Sequence, residues 1–269
     1  MIRTIAKTVA PKWLISEYNK IKSLERYPSS NMDTVSDLFP FKVTAEWNTY
    51  FELLNIPAMI DPFKAHGDYN VDIVLFNENG KIIKNESIRV KSIGRTTINI
   101  GELIKEENVN SGTFASFHKC SQLDIVGGGY LVDRGYVGYE NRSLSQVRGY
   151  VHGNFNAISL NNRSGYRLLG KSFKDKKTYF LQHELTGEAQ YELVFVNSDK
   201  RDHQLEIKVS SLIDGSTEHT FSIPSGGIRS LSLEVQSDDR KMVEISSKLK
   251  LPRPVVFRTN ASSIDVFHG

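Results

Sequence analysis

The chain says one thing twice. A β-rich stretch opens on Tyr50-Phe51-Glu52-Leu53-Leu54-Asn55 and a second on Tyr191-Glu192-Leu193-Val194-Phe195-Val196-Asn197. Each ends in His-Gly, as Val151-His152-Gly153 and Phe267-His268-Gly269. Between opener and closer, each stretch carries an alternating strand, a Gly turn and further short strands. A duplicated pattern of this kind restricts the chain to stacked, short-stranded sheets.

In the first copy Val71, Ile73 and Leu75 alternate with Asp72 and Val74 ahead of an Asn79-Gly80 turn. Ser87-Ile88-Arg89-Val90, Thr96-Thr97-Ile98-Asn99-Ile100 and Gly112–Phe117 continue as strands. In the second copy Leu205, Ile207 and Val209 alternate with Glu206 and Lys208, and Asp214-Gly215 makes the turn. His219–Ile223, Ser230–Val235, Met242–Ser247 and Val255–Arg258 follow, with a break at Pro224-Ser225-Gly226-Gly227. Ahead of both copies, Leu14, Tyr18 and Ile21 share one face at helical spacing, with Pro11 suited to a first turn, so residues 12–26 read as a helix.

The expected fold is therefore all-β: two tandem antiparallel β-sandwich modules behind an N-terminal α-helix. The boundaries read as helix and linker over 1–40, the first module over 41–154, a connecting hairpin or loop over 155–188 and the second module over 189–269. Within the connector, the polar basic run Ser172–Lys177 reads as a hairpin turn or loop. Two elaborations belong to the first copy alone. One is an insertion from Ile56 to Asp68. The other is a segment from Gly127 to Asn154 rich in Gly, Tyr and Arg. Loops and insertions on a rigid scaffold are where binding usually sits.

The second copy resembles the small β-sandwich module of the sensory rhodopsin transducer family. The residues that carry the resemblance are Val196-Asn197-Ser198-Asp199, Val209, Phe221-Ser222-Ile223-Pro224, Arg229 to Leu233, Ser246-Ser247 and Pro254-Val255-Val256. Ser111–Ser116 of the first copy matches more loosely. The resemblance implies a non-enzymatic, oligomeric adaptor or small-ligand binder. Members of that family carry one module, and this chain reads as two.

Bulk properties narrow the function classes. The net charge of +3 on 269 residues is small and evenly spread, which argues against nucleic acid as a partner. No apolar run approaches the ~20 residues that span a bilayer, so no integral membrane segment is expected. The single cysteine, Cys120, excludes an intrachain disulfide framework and points to a reducing, cytoplasmic setting.

The densest chemistry is Asp133–Tyr139 followed by Arg148–Asn154. Candidate ligand-binding residues are Arg134, Tyr136, Tyr139, Arg148, Tyr150, His152 and Asn154, with His118. Tyrosine faces stack on sugars, Arg pairs with carboxylate or phosphate, and Asn offers both a donor and an acceptor. The alternative reading of the segment is a Gly-kinked hairpin that packs on its neighbour.

His118, His152, His183 and His268 lack the short-spaced pairing zinc sites use, so no metal and no cofactor is expected. No Gly-x-Ser-x-Gly occurs, and Gly127-Gly128-Gly129 lacks the Lys-Ser/Thr of a phosphate loop. The reading is a non-catalytic binding protein whose partner is a small anionic molecule or a glycan. One alternative is an oligomeric scaffold or signalling adaptor, and another is an enzyme with a His/Arg site between the two modules.

Overall fold

The structure, a computed structural model, describes residues 33–54, 68–91, 94–119, 135–144, 147–161 and 165–269. Over that range it is almost entirely β, with nineteen strands and one short helix. The expected helix over 12–26, most of the insertion at 56–68, the triple glycine at 127–129, Cys120 and Arg134 lie outside the described residues. No described helix is long and apolar enough to cross a membrane.

Four antiparallel sheets form. The first runs β10-β9-β1-β6-β3-β4 and the second β5-β2-β7-β8. The strands are β1 (Asp33–Lys42), β2 (Trp47–Leu54), β3 (Tyr69–Asn77), β4 (Ile82–Val90), β5 (Arg95–Asn99), β6 (Ser111–Lys119), β7 (Tyr136–Asn141), β8 (Gly149–Val151), β9 (Asn154–Asn161) and β10 (Gly165–Leu168). The short helix α1 (Ile100–Leu103) follows β5, with the Asn99 side chain capping it by accepting from Glu102 N.

The third sheet runs β11-β17-β14-β15, with β12 also paired to β17, and the fourth β16-β13-β18-β19. These strands are β11 (Ser172–Phe180), β12 (Leu185–Thr186), β13 (Ala189–Val196), β14 (His203–Ser211), β15 (Gly215–Ile223), β16 (Ile228–Val235), β17 (Arg240–Leu249), β18 (Val255–Thr259) and β19 (Ile264–His268).

The strand orders repeat. β1-β6-β3-β4 and β5-β2-β7-β8 in the first half have the same connectivity as β11-β17-β14-β15 and β16-β13-β18-β19 in the second. Chain order and hydrogen-bonded neighbours match strand for strand. The first half adds β9 and β10, and the second adds β12.

Three stretches differ from the sequence expectation. Residues 33–40 belong to β1, although 1–40 reads as helix and linker. Pro40 breaks the pattern in the sequence, but it lies beyond the last pair with β9, Leu38↔Asn154, where a missing N–H costs that strand no bond. Ser172–Lys177 forms part of strand β11, paired to β17 across an irregularity between Ser172 and Lys177. Its exposed Lys174, Lys176 and Lys177 are what a sheet edge carries to discourage further pairing. The span 155–188 accordingly holds β9 through β12. Finally, β3 does not alternate: Val71 through Phe76 are all buried.

The burial of both faces of β3 follows from curling of the first sheet. Its edge strands approach each other, and Asn85 Nδ2 of β4 donates to Tyr166 Oη of β10 at 3.0 Å. Tyr166 packs on Phe76 and Phe117, ring centroids 6.3 and 5.6 Å away. On the opposite face Phe39 and Phe114 meet Phe51 of β2, with the three ring centroids 4.8–5.1 Å apart.

Two apolar cores result. One contains Leu193, Phe195, Leu205, Ile207, Val209, Val243 and Ile245 of the second half. The other contains the first half's aromatics together with Val194, Val196, Ile228, Val255, Phe257 and Val266 of the second half. Alternate residues of β13 therefore enter different cores, which accounts for the unbroken apolar run Leu193-Val194-Phe195-Val196. Burying residues of about this size contributes roughly 1.5–3 kcal/mol each, so the six shared residues join the two halves firmly.

Candidate functional site

Cross-strand register shows how the duplicated central sheets differ. One row across the first half reads Thr97, Glu52, Tyr136, with His152 following the last paired residue of β8, Val151. The matching row of the second half reads Ser230, Val194, Val255, His268. The next row is Asn99, Tyr50, Gly138, Tyr150 against Ser232, Glu192, Phe257, Val266. Arg95 lies two residues before Thr97 as Ile228 lies two before Ser230. Arg148 and Ile264 stand in the same relation to Tyr150 and Val266.

The two closing histidines thus occupy equivalent strand-end places, as the duplication predicts. They also mark a contact: His268 Nε2 donates to the carbonyl of His152 at 3.0 Å. The opening motifs match less literally. Tyr50 faces outward in the first half, whereas Tyr191 is buried in the second core and donates to the carbonyl of Thr186. A one-residue offset between look-alike motifs exchanges the two faces of a strand.

On the outward face of β5-β2-β7-β8, Glu52 is the centre. Its side chain is nearly buried, and its carboxylate accepts from Thr97 Oγ1 at 2.7 Å and Tyr150 Oη at 3.4 Å. Arg95 Nε and Arg148 Nη1 pair with it at 3.1 and 3.3 Å. A carboxylate this enclosed needs such donors to offset its lost hydration. Beside it Tyr50 Oη donates to Glu140 at 2.8 Å, and the Arg148 guanidinium carbon lies 3.5 Å from the Tyr50 ring centroid.

Partial burial pulls the Arg148 pKa down, but the hydrogen bond with Tyr150 and the charges of Tyr150, Tyr50 and Glu140 outweigh it and raise the value. Gly138 gives these side chains room to lie flat. A Cβ there would come within 2.8 Å of Tyr150 and 3.3 Å of Arg148.

Four of the eight candidate residues come together here. Arg148 and Tyr150 join the Glu52 cluster, and Tyr136 packs on His152 with ring centroids 4.6 Å apart. Tyr136 and Tyr150 are 49% and 41% exposed, so their faces are open to a partner.

Of the other four, Tyr139 and His118 do not join them. Tyr139 points into the first core, fully buried, and its hydroxyl donates to Pro40 O at 2.6 Å. Burial pushes that hydroxyl far above its ordinary pKa and keeps it a donor. His118 stands in the first sheet, buried, with Nδ1 2.9 Å from the Tyr69 hydroxyl. Asn154 opens β9 opposite Leu38, and its side chain is outside the described residues, as is Arg134.

Period-two parity separates these residues. Tyr136, Gly138, Glu140, Arg148 and Tyr150 are on the outward face, whereas Val137 and Tyr139 are inward. Sequence reading gave no site role to Tyr50, Glu52, Arg95 or Thr97. The one available signal was Glu52, a lone charge in the apolar run Tyr50–Leu54. Among the described residues no group of His, Cys, Asp and Glu could hold a metal ion.

No protein-family model matches the chain, and no curated protein matches it. Among solved structures it is similar to a calcium-binding mutant of Bacteroides uniformis β-glucuronidase 2, at 12% identity and a TM-score of 0.17, over 86% of this chain and 25% of that one. Another Bacteroides uniformis β-glucuronidase structure gives 10% identity and 0.18 over the same shares. The chain spans about a quarter of their length.

Proposed function

We propose that the chain is a non-catalytic carbohydrate-binding protein built from two duplicated β-sandwich modules, with its glycan surface on the outward face of β5-β2-β7-β8. The observation that carries the reading is the contrast across equivalent positions. Glu52, Tyr136, Tyr150, Arg95 and Arg148 of the first half stand where the second has Val194, Val255, Val266, Ile228 and Ile264. A polar aromatic face is kept exposed where its duplicate is apolar.

Two arginines and two carboxylates already engage each other or Tyr50 on this face, so little net charge is left to attract an anion. What is left open is the tyrosine platform beside hydrogen-bonding groups, which suits a neutral sugar. Retention of the full chain on immobilised neutral glycans tests this. Tyr150→Ala is expected to weaken retention about tenfold, roughly 1.4 kcal/mol, with little dependence on salt. Retention unchanged in both Tyr150→Ala and Tyr136→Ala overturns the assignment.

A second reading, a homo-oligomeric scaffold, rests on a separate patch. Phe180, Met242 and Leu212 are exposed at one end of β11-β17-β14-β15, and register puts Phe180 beside Glu244 and Met242 beside Ser210. Sedimentation velocity of wild type and Phe180→Ser tests it. A monomer in both removes the scaffold reading.

A further inference from the structure

The outward face of β16-β13-β18-β19 changes character along its strands. On β13 it runs Val196, Val194, Glu192, Gln190, and on β16 it runs Ile228, Ser230, Ser232, Glu234. On β18 it runs Val255, Phe257, Thr259. The apolar end packs into the first half's core. Where the rows turn polar the two halves part, and a cleft of about 320 Å³ opens between them.

At the point of parting, Phe257 meets Trp47 at 5.3 Å and Tyr139 at 4.7 Å, both edge-on. Lys42 of β1 pairs with Glu192 of β13 across the junction, its ammonium 4.6 Å from the Trp47 ring centroid. Beyond this seam the walls carry Asn141 and Ser143 from the first half and Gln190, Ser232 and Thr259 from the second.

We propose that this cleft is a second ligand site, distinct from the outward face of β5-β2-β7-β8, and that it takes a neutral hydroxyl-rich molecule of about monosaccharide size. Its volume stands at the lower end of the range for small-molecule sites. Its walls offer carboxamides and hydroxyls, groups that both donate and accept, as a polyol requires. An anion is disfavoured: Lys42 is balanced by Glu192, and Glu46 adds a further negative charge at the rim. A large apolar ligand is disfavoured because the apolar part of the junction is already closed by packing. The Lys42 ammonium has three donors, one of which reaches Glu192, so it can also serve a ligand oxygen without giving up that pair. The site exists only while both halves are docked, since each supplies a wall.

Trp47 lies in the cleft and the chain has two tryptophans, so a Trp13→Phe variant of the full chain reports on the cleft by fluorescence. D-glucose, D-galactose and myo-inositol are the probes, each titrated to millimolar concentration. The expected result is a saturable change in Trp47 emission with at least one probe. Ser232→Phe, which fills the cleft, should abolish it, Gln190→Ala should weaken it about tenfold, and Tyr150→Ala should leave it intact. Gln190 is exposed, so its variant reads the site even if Ser232→Phe does not fold. No saturable signal with any probe, or a signal indifferent to Gln190→Ala, overturns the proposal. Loss of the signal in Tyr150→Ala overturns its distinctness. Because glycan retention through Tyr150 is measured separately, failure in the cleft leaves the reading of the outward face standing.

Discussion

The outward face of β5-β2-β7-β8 and that of β16-β13-β18-β19 share connectivity, register and a terminal histidine, yet they have opposite chemistry. In the second half, valines and isoleucines on this face close the first half's core. In the first half the same positions hold two arginines, a glutamate and two exposed tyrosines. One strand order occurs twice. In the second half these positions form a docking surface, and in the first they leave polar and aromatic groups exposed on the face proposed for recognition. The difference between the copies, more than their likeness, is what points to function.

The largest effect is expected when the docking face is given the character of the open one. Val194 occupies the position equivalent to Glu52 and is buried in the shared core. Val194→Glu places an unpaired carboxylate there and should cost about 3–5 kcal/mol. Urea unfolding measures it. A loss below 1 kcal/mol, a rough floor for a buried site, means the face is not packed as described.

The β3–β4 and β14–β15 turns offer a second comparison. Gly80 and Gly215 have left-handed φ of 74° and 77°. Gly80 is wedged against the second half, where a Cβ would come 2.0 Å from Ser225 O, and Gly215 faces open space. Glu78 O of the same turn accepts from Ile228 N and Arg229 Nη1. Gly215→Ala should cost about 1 kcal/mol, the backbone term alone. Gly80→Ala should cost about 3 kcal/mol, adding a clash that displaces the junction. Equal losses in thermal melts of the two variants contradict a docked turn.

The smallest effect is the pH response of the junction. Desolvation and the charge of Arg253 lower the His268 pKa, and the hydrogen bond to the His152 carbonyl only partly compensates. A histidine with a lowered folded pKa gives stability that is fully present above the unfolded value, about 6.5, and is lost as pH falls through the folded one. The Tm should therefore drop on acidification below about pH 6.5, and His268→Gln should flatten that drop. An acid response identical in the variant assigns it to other groups.

Much of the fold was legible from short-range pattern. Leu205, Ile207 and Val209 alternate with Glu206 and Lys208 because β14 has one core face and one solvent face. The Asn79-Gly80 and Asp214-Gly215 turns declare themselves through residues that accept positive φ. What escaped the sequence depends on distant packing. β3 is buried on both faces because the sheet curls until Tyr166 reaches Asn85, and no local period records that. β11 is hidden by its own lysines, which an edge strand needs and a loop also carries.

At the site, Tyr136, Arg148, Tyr150 and His152 were visible as a composition, and Tyr139 was separable by parity alone. Glu52, Arg95 and Tyr50 join them only through strand pairing between residues some 40 to 90 positions apart, as in Glu52↔Thr97 and Tyr50↔Gly138. The sequence carries no such register on its face.

Converting the open face into its duplicate separates glycan recognition from folding. In Glu52→Val/Tyr136→Val/Tyr150→Val, three first-half positions receive the residues found at their second-half equivalents. We expect glycan retention to fall by well over tenfold, on the scale of two lost aromatic contacts, while the Tm moves by only a few degrees. Retention at the wild-type level, with that fold preserved, contradicts the account.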